Sequence, residues 1–247
     1  MLLTVQYGAG GLGIMFLPGL AHQYGAKVLF LALAGFTVGT LIMLPFLAAY
    51  PPRERTAAQI REPGRIRRGP LVRTLIAVFL FQAANMGLSA FIIPLARHYG
   101  LADPFISGTI GIANWIGVLG SIAVIWMAGR VGRTLPILGV LILSIAGTAA
   151  FPRSDLGFVF IIANVITAIG WSFLIPYFFG MCAHFDPAGQ SATLAGFFSK
   201  LGFATGPAAA ALLIGQDNYA LLIGVSLIGL AVIAPVRLLD QGPRPAT

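Results

Sequence analysis

Charge is what this chain has least of. Only 9% of its 247 residues are Asp, Glu, Lys or Arg, against about 25% in ordinary soluble domains. Such a chain cannot clothe itself in polar surface. A single cysteine, Cys182, excludes an internal disulfide framework and any cysteine-built metal cluster. His22, His98 and His184 are too widely separated for metal-ligand spacing, so no metal or cofactor is expected. Acids number seven, and none lies deep in an apolar run. What is abundant is hydrocarbon: 58% hydrophobic residues and a mean hydropathy of +0.92.

The few charges divide the chain into apolar intervals: 1–26, 28–52, 74–96, 104–129, 134–152, 156–185 and 218–236 hold none, and 187–216 holds only Lys200. Each can cross a hydrocarbon core of ~30 Å with ~20 residues. The expectation is an all-α polytopic membrane protein with eight transmembrane helices, near 3–22, 28–49, 74–96, 105–128, 134–151, 157–182, 190–214 and 219–237. Helices are required because backbone polar groups in lipid must bond within their own segment. A β-barrel would show alternating segments of ~10 residues, and the chain has none. The opening run is too glycine-rich, at Gly8, Gly10, Gly11 and Gly13, for a signal-peptide core.

Orientation follows from the basic loops. Seven arginines from Arg53 to Arg73, then Arg130, Arg133, Arg237 and Arg244, fall on one side, and Lys27, Arg97 and Arg153 on the other. This predicts a cytoplasmic loop and cytoplasmic termini. The loop is expected to lie on anionic headgroups; nucleic acid is not an expected partner. Four segments result: 1–50 with two helices, a basic loop at 51–73, a six-helix bundle at 74–239, and a tail at 240–247.

A short repeat links the two ends of the helical region. Leu12-Gly13 and Leu201-Gly202 are each followed by four residues and a proline, Pro18 and Pro207. Each is then followed by one helix before a basic segment. Projected backwards, the repeat leaves about four helices missing ahead of Met1.

Six plus six helices about a basic loop resembles the major facilitator superfamily of transporters. Three local patterns carry the resemblance. Ala128-Gly129-Arg130-Val131-Gly132-Arg133-Thr134 is similar to the family's short cytoplasmic turn, with Arg130, Gly132 and Arg133 matching and Gly129 in place of its Asp. Asp186-Pro187-Ala188-Gly189-Gln190, leading to Lys200 and Gly206-Pro207, resembles the eleventh helix. Pro18 in a glycine-rich helix resembles the fifth, with Leu17 where an antiporter would have glycine. The resemblance implies helices five to twelve: a six-helix C-terminal bundle plus two helices of an incomplete N-terminal bundle. It implies a secondary carrier working by alternating access, here a fragment not competent alone. A membrane partner covering the incomplete bundle, or an intact eight-helix scaffold without transport, is the alternative. The preference for Ala, Gly and Arg over Lys points to a bacterial source, and so to the inner membrane.

Polar residues within spans are costly and need a partner or a purpose. Lys200 lies about 15 Å inside its helix at ~1.5 Å per residue. It either faces a cavity and attracts an anionic solute, or snorkels to the interface. Gln82 and Asn85 share a helix face and read as cavity lining or as interhelical bonds. Asn164, Thr167 and Trp171 form one stripe, and Asn114 stands beside Trp115; each reads equally as packing. Pro18, Pro176 and Gly206-Pro207 are the expected helix bends. The glycine pairs Gly117/Gly120 and Gly35/Gly39 are expected to let backbones approach. Together these residues point to a small organic anion or amphipathic metabolite as solute. With no acid cluster, His pair or activated nucleophile, an enzyme is not expected.

Overall fold

The computed structural model describes residues 27–41, 68–127, 134–185, 190–215 and 218–238, with scattered positions between 13 and 25. Among these the protein is helical and contains no strand. The helices are α1 (Lys27–Leu41), α2 (Arg68–Ala90), α3 (Ile92–His98), α4 (Asp103–Met127), α5 (Thr134–Ala150), α6 (Gly157–Phe185), α7 (Gln190–Ile214) and α8 (Tyr219–Leu238). Five stretches are long and apolar enough to cross a membrane: Arg68–Ala90, Asp103–Met127, Leu135–Arg153, Gly157–Phe185 and Ser191–Ile214. Tyr219–Ala234 is a shorter apolar stretch. The span expected at 3–22 lies largely outside the described residues, and the last part of 28–49 does too.

One expected span is redrawn. In place of a helix over 74–96, α2 begins at Arg68 and breaks at Phe91. The early start is possible because Pro70 sits in the first turn, where a backbone N–H has no intrahelical partner anyway. Thr74 Oγ1 donates to the Pro70 carbonyl at 2.9 Å. The break has its cause in Pro94, which has no N–H for the Ala90 carbonyl and whose ring crowds it. Phe91 leaves helical geometry at φ −111°, ψ 12°, and its N–H turns to Leu88 O at 3.1 Å. α3 then ends in a glycine cap. Gly100 takes φ +80°, with Leu101 N–H reaching Ala96 O at 3.1 Å and Gly100 N–H reaching Arg97 O at 2.9 Å. At the same corner Arg97 grips Asp103 with two bonds, of 2.7 and 2.9 Å. At the start of α8, Asn218 Oδ1 accepts from Leu221 N–H at 3.0 Å, as a helix cap.

The closest helix pairs are α2 with α7 and α4 with α6, followed by α5 with α6 and α2 with α8. Missing side chains make the approach possible. A Cβ at Gly202 would stand 2.6 Å from the Phe79 carbonyl oxygen, and one at Gly206 would strike the Ala83 backbone. In α4, Gly120 backs onto Ser172 and the Ile169 carbonyl. In α5, Gly147 faces Ile166, and in α6, Gly170 faces Ser144. At Gly35 and Gly39 an added Cβ meets nothing within 4 Å among the described residues. α1 carries Phe30, Leu31 and Phe36 exposed.

The apolar interior is divided in two. One cluster joins Phe81, Leu141, Phe173, Leu174, Phe178, Leu230 and Ile233, with Phe81 and Phe178 in edge contact at 5.9 Å. The other joins Leu88, Leu95, Ile106, Ile110, Phe151, Phe160, Ala163 and Leu222. The two lie towards opposite ends of the same helices.

Candidate functional site: a polar layer between two apolar cores

Each long helix passes from one cluster to the other, and the side-chain amides of α2, α4 and α6 fall near the crossing. On α2, Gln82 and Asn85 lie between Phe81 of the first cluster and Leu88 of the second. On α6, Asn164 and Thr167 follow Ala163 of the second cluster, and Trp171 packs on the edge of the first beside Phe173. On α4, Asn114 follows Ile110 and precedes Ala123. On α5, Ser144 and Thr148 follow Leu141 and precede Ala150, and on α7, Ser199 and Lys200 fall between Ala195 and Ala210. The result is a polar layer in five helices between the two clusters.

Within that layer the groups are bonded in different ways. Trp171 Nε1 donates to Gln82 Oε1 at 2.8 Å, joining α6 to α2. The asparagines turn inward on their own helices. Asn85 Nδ2 donates to Phe81 O at 3.0 Å, Asn114 Nδ2 to Ile110 O at 2.9 Å, and Asn164 Nδ2 to Phe160 O at 2.8 Å. Thr167 does the same towards Ala163 O at 2.8 Å. These bonds satisfy one N–H of each amide and leave its oxygen for another donor.

Lys200 is placed differently. It is exposed, on α7, and its Nζ lies 5.5 Å from the Phe203 ring centroid. Gly202, two residues on, is the point where α7 touches α2 beside Gln82. At about 100° per residue the lysine therefore projects to nearly the opposite side of α7. Lys200 and Gln82 share a level, but the structure does not bring them together. Among the described residues no acid pairs with Lys200.

Pro176 and Pro207 both sit inside continuous helices. Pro176 deprives the Ser172 carbonyl of its usual donor. Ser121 of α4 supplies one, its Oγ donating to Ser172 O at 3.3 Å. Ser172 Oγ in turn donates to Gly117 O. This two-serine clasp was legible only in part: Gly117 and Gly120 mark the contact, and a serine four residues before a proline marks the freed carbonyl. The α2–α7 contact carried a plainer signal, the Gly202-x-x-x-Gly206 spacing of close-packed membrane helices. Pro18, Arg130, Gly132 and Arg133 lie outside the described residues. No group of three or more His, Cys, Asp or Glu that could hold a metal occurs among those described.

Comparison with curated proteins gives no match. A family model does match, the Major Facilitator Superfamily, over residues 1–211. That span takes in α1 to α6, most of α7 and every residue named in the polar layer, and stops short of α8. This chain is a multi-pass membrane protein belonging to the Major Facilitator Superfamily of solute transporters.

Proposed function

We propose that the chain binds a small organic anion or amphipathic metabolite at the polar layer, as part of a carrier that exposes it alternately to the two sides of the membrane. The position of that layer is the observation that carries the reading. Gln82, Asn85, Asn114 and Asn164 lie where their helices pass from one apolar cluster to the other, with Trp171 at the edge of the first, and carriers of this kind hold their solutes in the middle of the membrane. Their amides offer donors and acceptors, and the indole offers an apolar face.

Lys200 supplies the sign of the charge. An ammonium within a span is costly unless compensated, and the contact seen here is the Phe203 ring. A solute carboxylate would offset that cost. The layer's remaining polar side chains are amides and hydroxyls, so an anion meets no fixed carboxylate among the described residues there. We place both termini and residues 50–73 on the cytoplasmic face of a bacterial inner membrane, from the arginine asymmetry.

The test is equilibrium binding by the whole chain in lipid nanodiscs, with benzoate as the anionic probe. Lys200→Ala is expected to weaken benzoate about tenfold, the attraction of a charge acting across α7 without touching the solute. Unchanged affinity would remove the lysine from the site.

A further inference from the structure

An indole N–H donates and never accepts. Because Trp171 Nε1 donates to Gln82 Oε1 at 2.8 Å, the Gln82 carboxamide is held with its oxygen towards α6. Its Nε2, with two hydrogens to give, is the other end. Gln82 is 3% exposed, and among the described residues nothing accepts from Nε2. Burying an amide donor without an acceptor is costly, so the position needs a reason. Among the described residues no side chain of a neighbouring helix makes a hydrogen bond to it. α7 passes at Gly202, where a Cβ would stand 3.0 Å from Gln82 Cβ. Asn85, the nearest amide on α2, is turned to Phe81 O.

We propose that Gln82 is the specificity-determining donor for the solute, receiving its carboxylate or hydroxyl oxygen. Trp171 is a positioning residue: by occupying Oε1 it keeps the amide from offering an acceptor, and so turns ammonium solutes away. This rests on the transport reading above and adds a selection rule to it.

Isothermal titration of the whole chain in nanodiscs tests the rule with two probes of one shape and opposite charge, benzoate and benzylammonium. Gln82→Met is expected to weaken benzoate about tenfold or more, as the loss of a charge-assisted bond implies. Trp171→Phe frees the amide to rotate, so the preference for benzoate over benzylammonium should fall by about tenfold. Gln82→Glu keeps an oxygen for Trp171 but donates only while protonated. Its benzoate affinity relative to the parent's at the same pH should therefore fall as the carboxyl ionises. That profile decides the matter if Gln82→Met does not fold. Benzoate affinity in folded Gln82→Met within about threefold of the parent, an unchanged probe ratio in Trp171→Phe, or a flat relative profile in Gln82→Glu would each overturn the proposal. If benzoate binds and responds to Lys200→Ala but not to the Gln82 variants, only the role of Gln82 falls. If benzoate does not bind the parent chain, the organic-anion reading falls with it.

Discussion

Gly206 and Gly139 are both glycines inside helices, and they have opposite consequences. At Gly206 an added methyl would strike the Ala83 carbonyl and Cα, backbone atoms that cannot swing aside. At Gly139 it would meet nothing within 4 Å. Gly206→Ala is therefore expected to cost about 1–3 kcal/mol through forced separation of α2 and α7. Gly139→Ala should be neutral or gain up to about 1 kcal/mol from helix propensity. Thermal unfolding of the two variants in one detergent checks this, and equal midpoints would refute it. The serine clasp allows a sharper test, because its value depends on a proline in the other helix. Ser121→Ala is expected to cost about 1 kcal/mol, since it strips the donor from a buried carbonyl. In a Pro176→Ala background residue 176 regains its own N–H for the Ser172 carbonyl, and the same change should cost close to nothing. A double-mutant cycle with no coupling between the two sites would show that the 3.3 Å contact does not serve the freed carbonyl.

Among the elements, the limits of the helices were largely legible and their interruptions were not. The intervals between charges place α4 to α8 within a few residues, because a charge at a span end is set by the boundary between water and hydrocarbon. The α2–α3 break was not anticipated. Hydropathy runs unbroken through Phe91-Ile92-Ile93, and a proline can sit inside a membrane helix without ending it, as Pro176 and Pro207 do. Whether it ends one depends on what its neighbours offer the freed carbonyl. Pro94→Ala is expected to join α2 and α3, giving Ala90 O an intrahelical partner. Amide exchange at residues 91–95 should then slow by about tenfold or more, as a backbone bond worth ~1–1.5 kcal/mol implies. Unaltered exchange would mean that packing around Phe91, and not the proline, makes the break.

For the whole molecule, the separation of the interior into two apolar cores with a polar layer between them is the feature closest to function. It packs each end of the helices and leaves the amides of α2, α4 and α6 between them, where we propose that the solute binds. The charge asymmetry makes a prediction at this scale. In a Cys182→Ala background, a single cysteine at Thr56 should react with a membrane-impermeant maleimide only after the cells are opened. One at Ala102 should react in intact cells. Labelling in the reverse order would invert the proposed orientation.

The amino-acid order by itself determined that this chain lives in a bilayer, how many apolar stretches it has and where most of them stop. Those outcomes are local: a run either can or cannot pay its transfer cost into hydrocarbon. It also singled out Gln82, Asn85, Asn114, Asn164, Trp171 and Lys200, because polar atoms stand out against an apolar background. Only the tertiary structure decided what those atoms do. It joined Gln82 to Trp171 across 89 positions of sequence, turned the asparagines back onto their own helices, and set Lys200 on the far side of α7 from Gln82. A hydrogen bond between helices depends on their relative rotation and spacing. Here those are governed by glycine contacts such as Gly202 and Gly206 against α2, and the periodicity of a single helix carries no record of them.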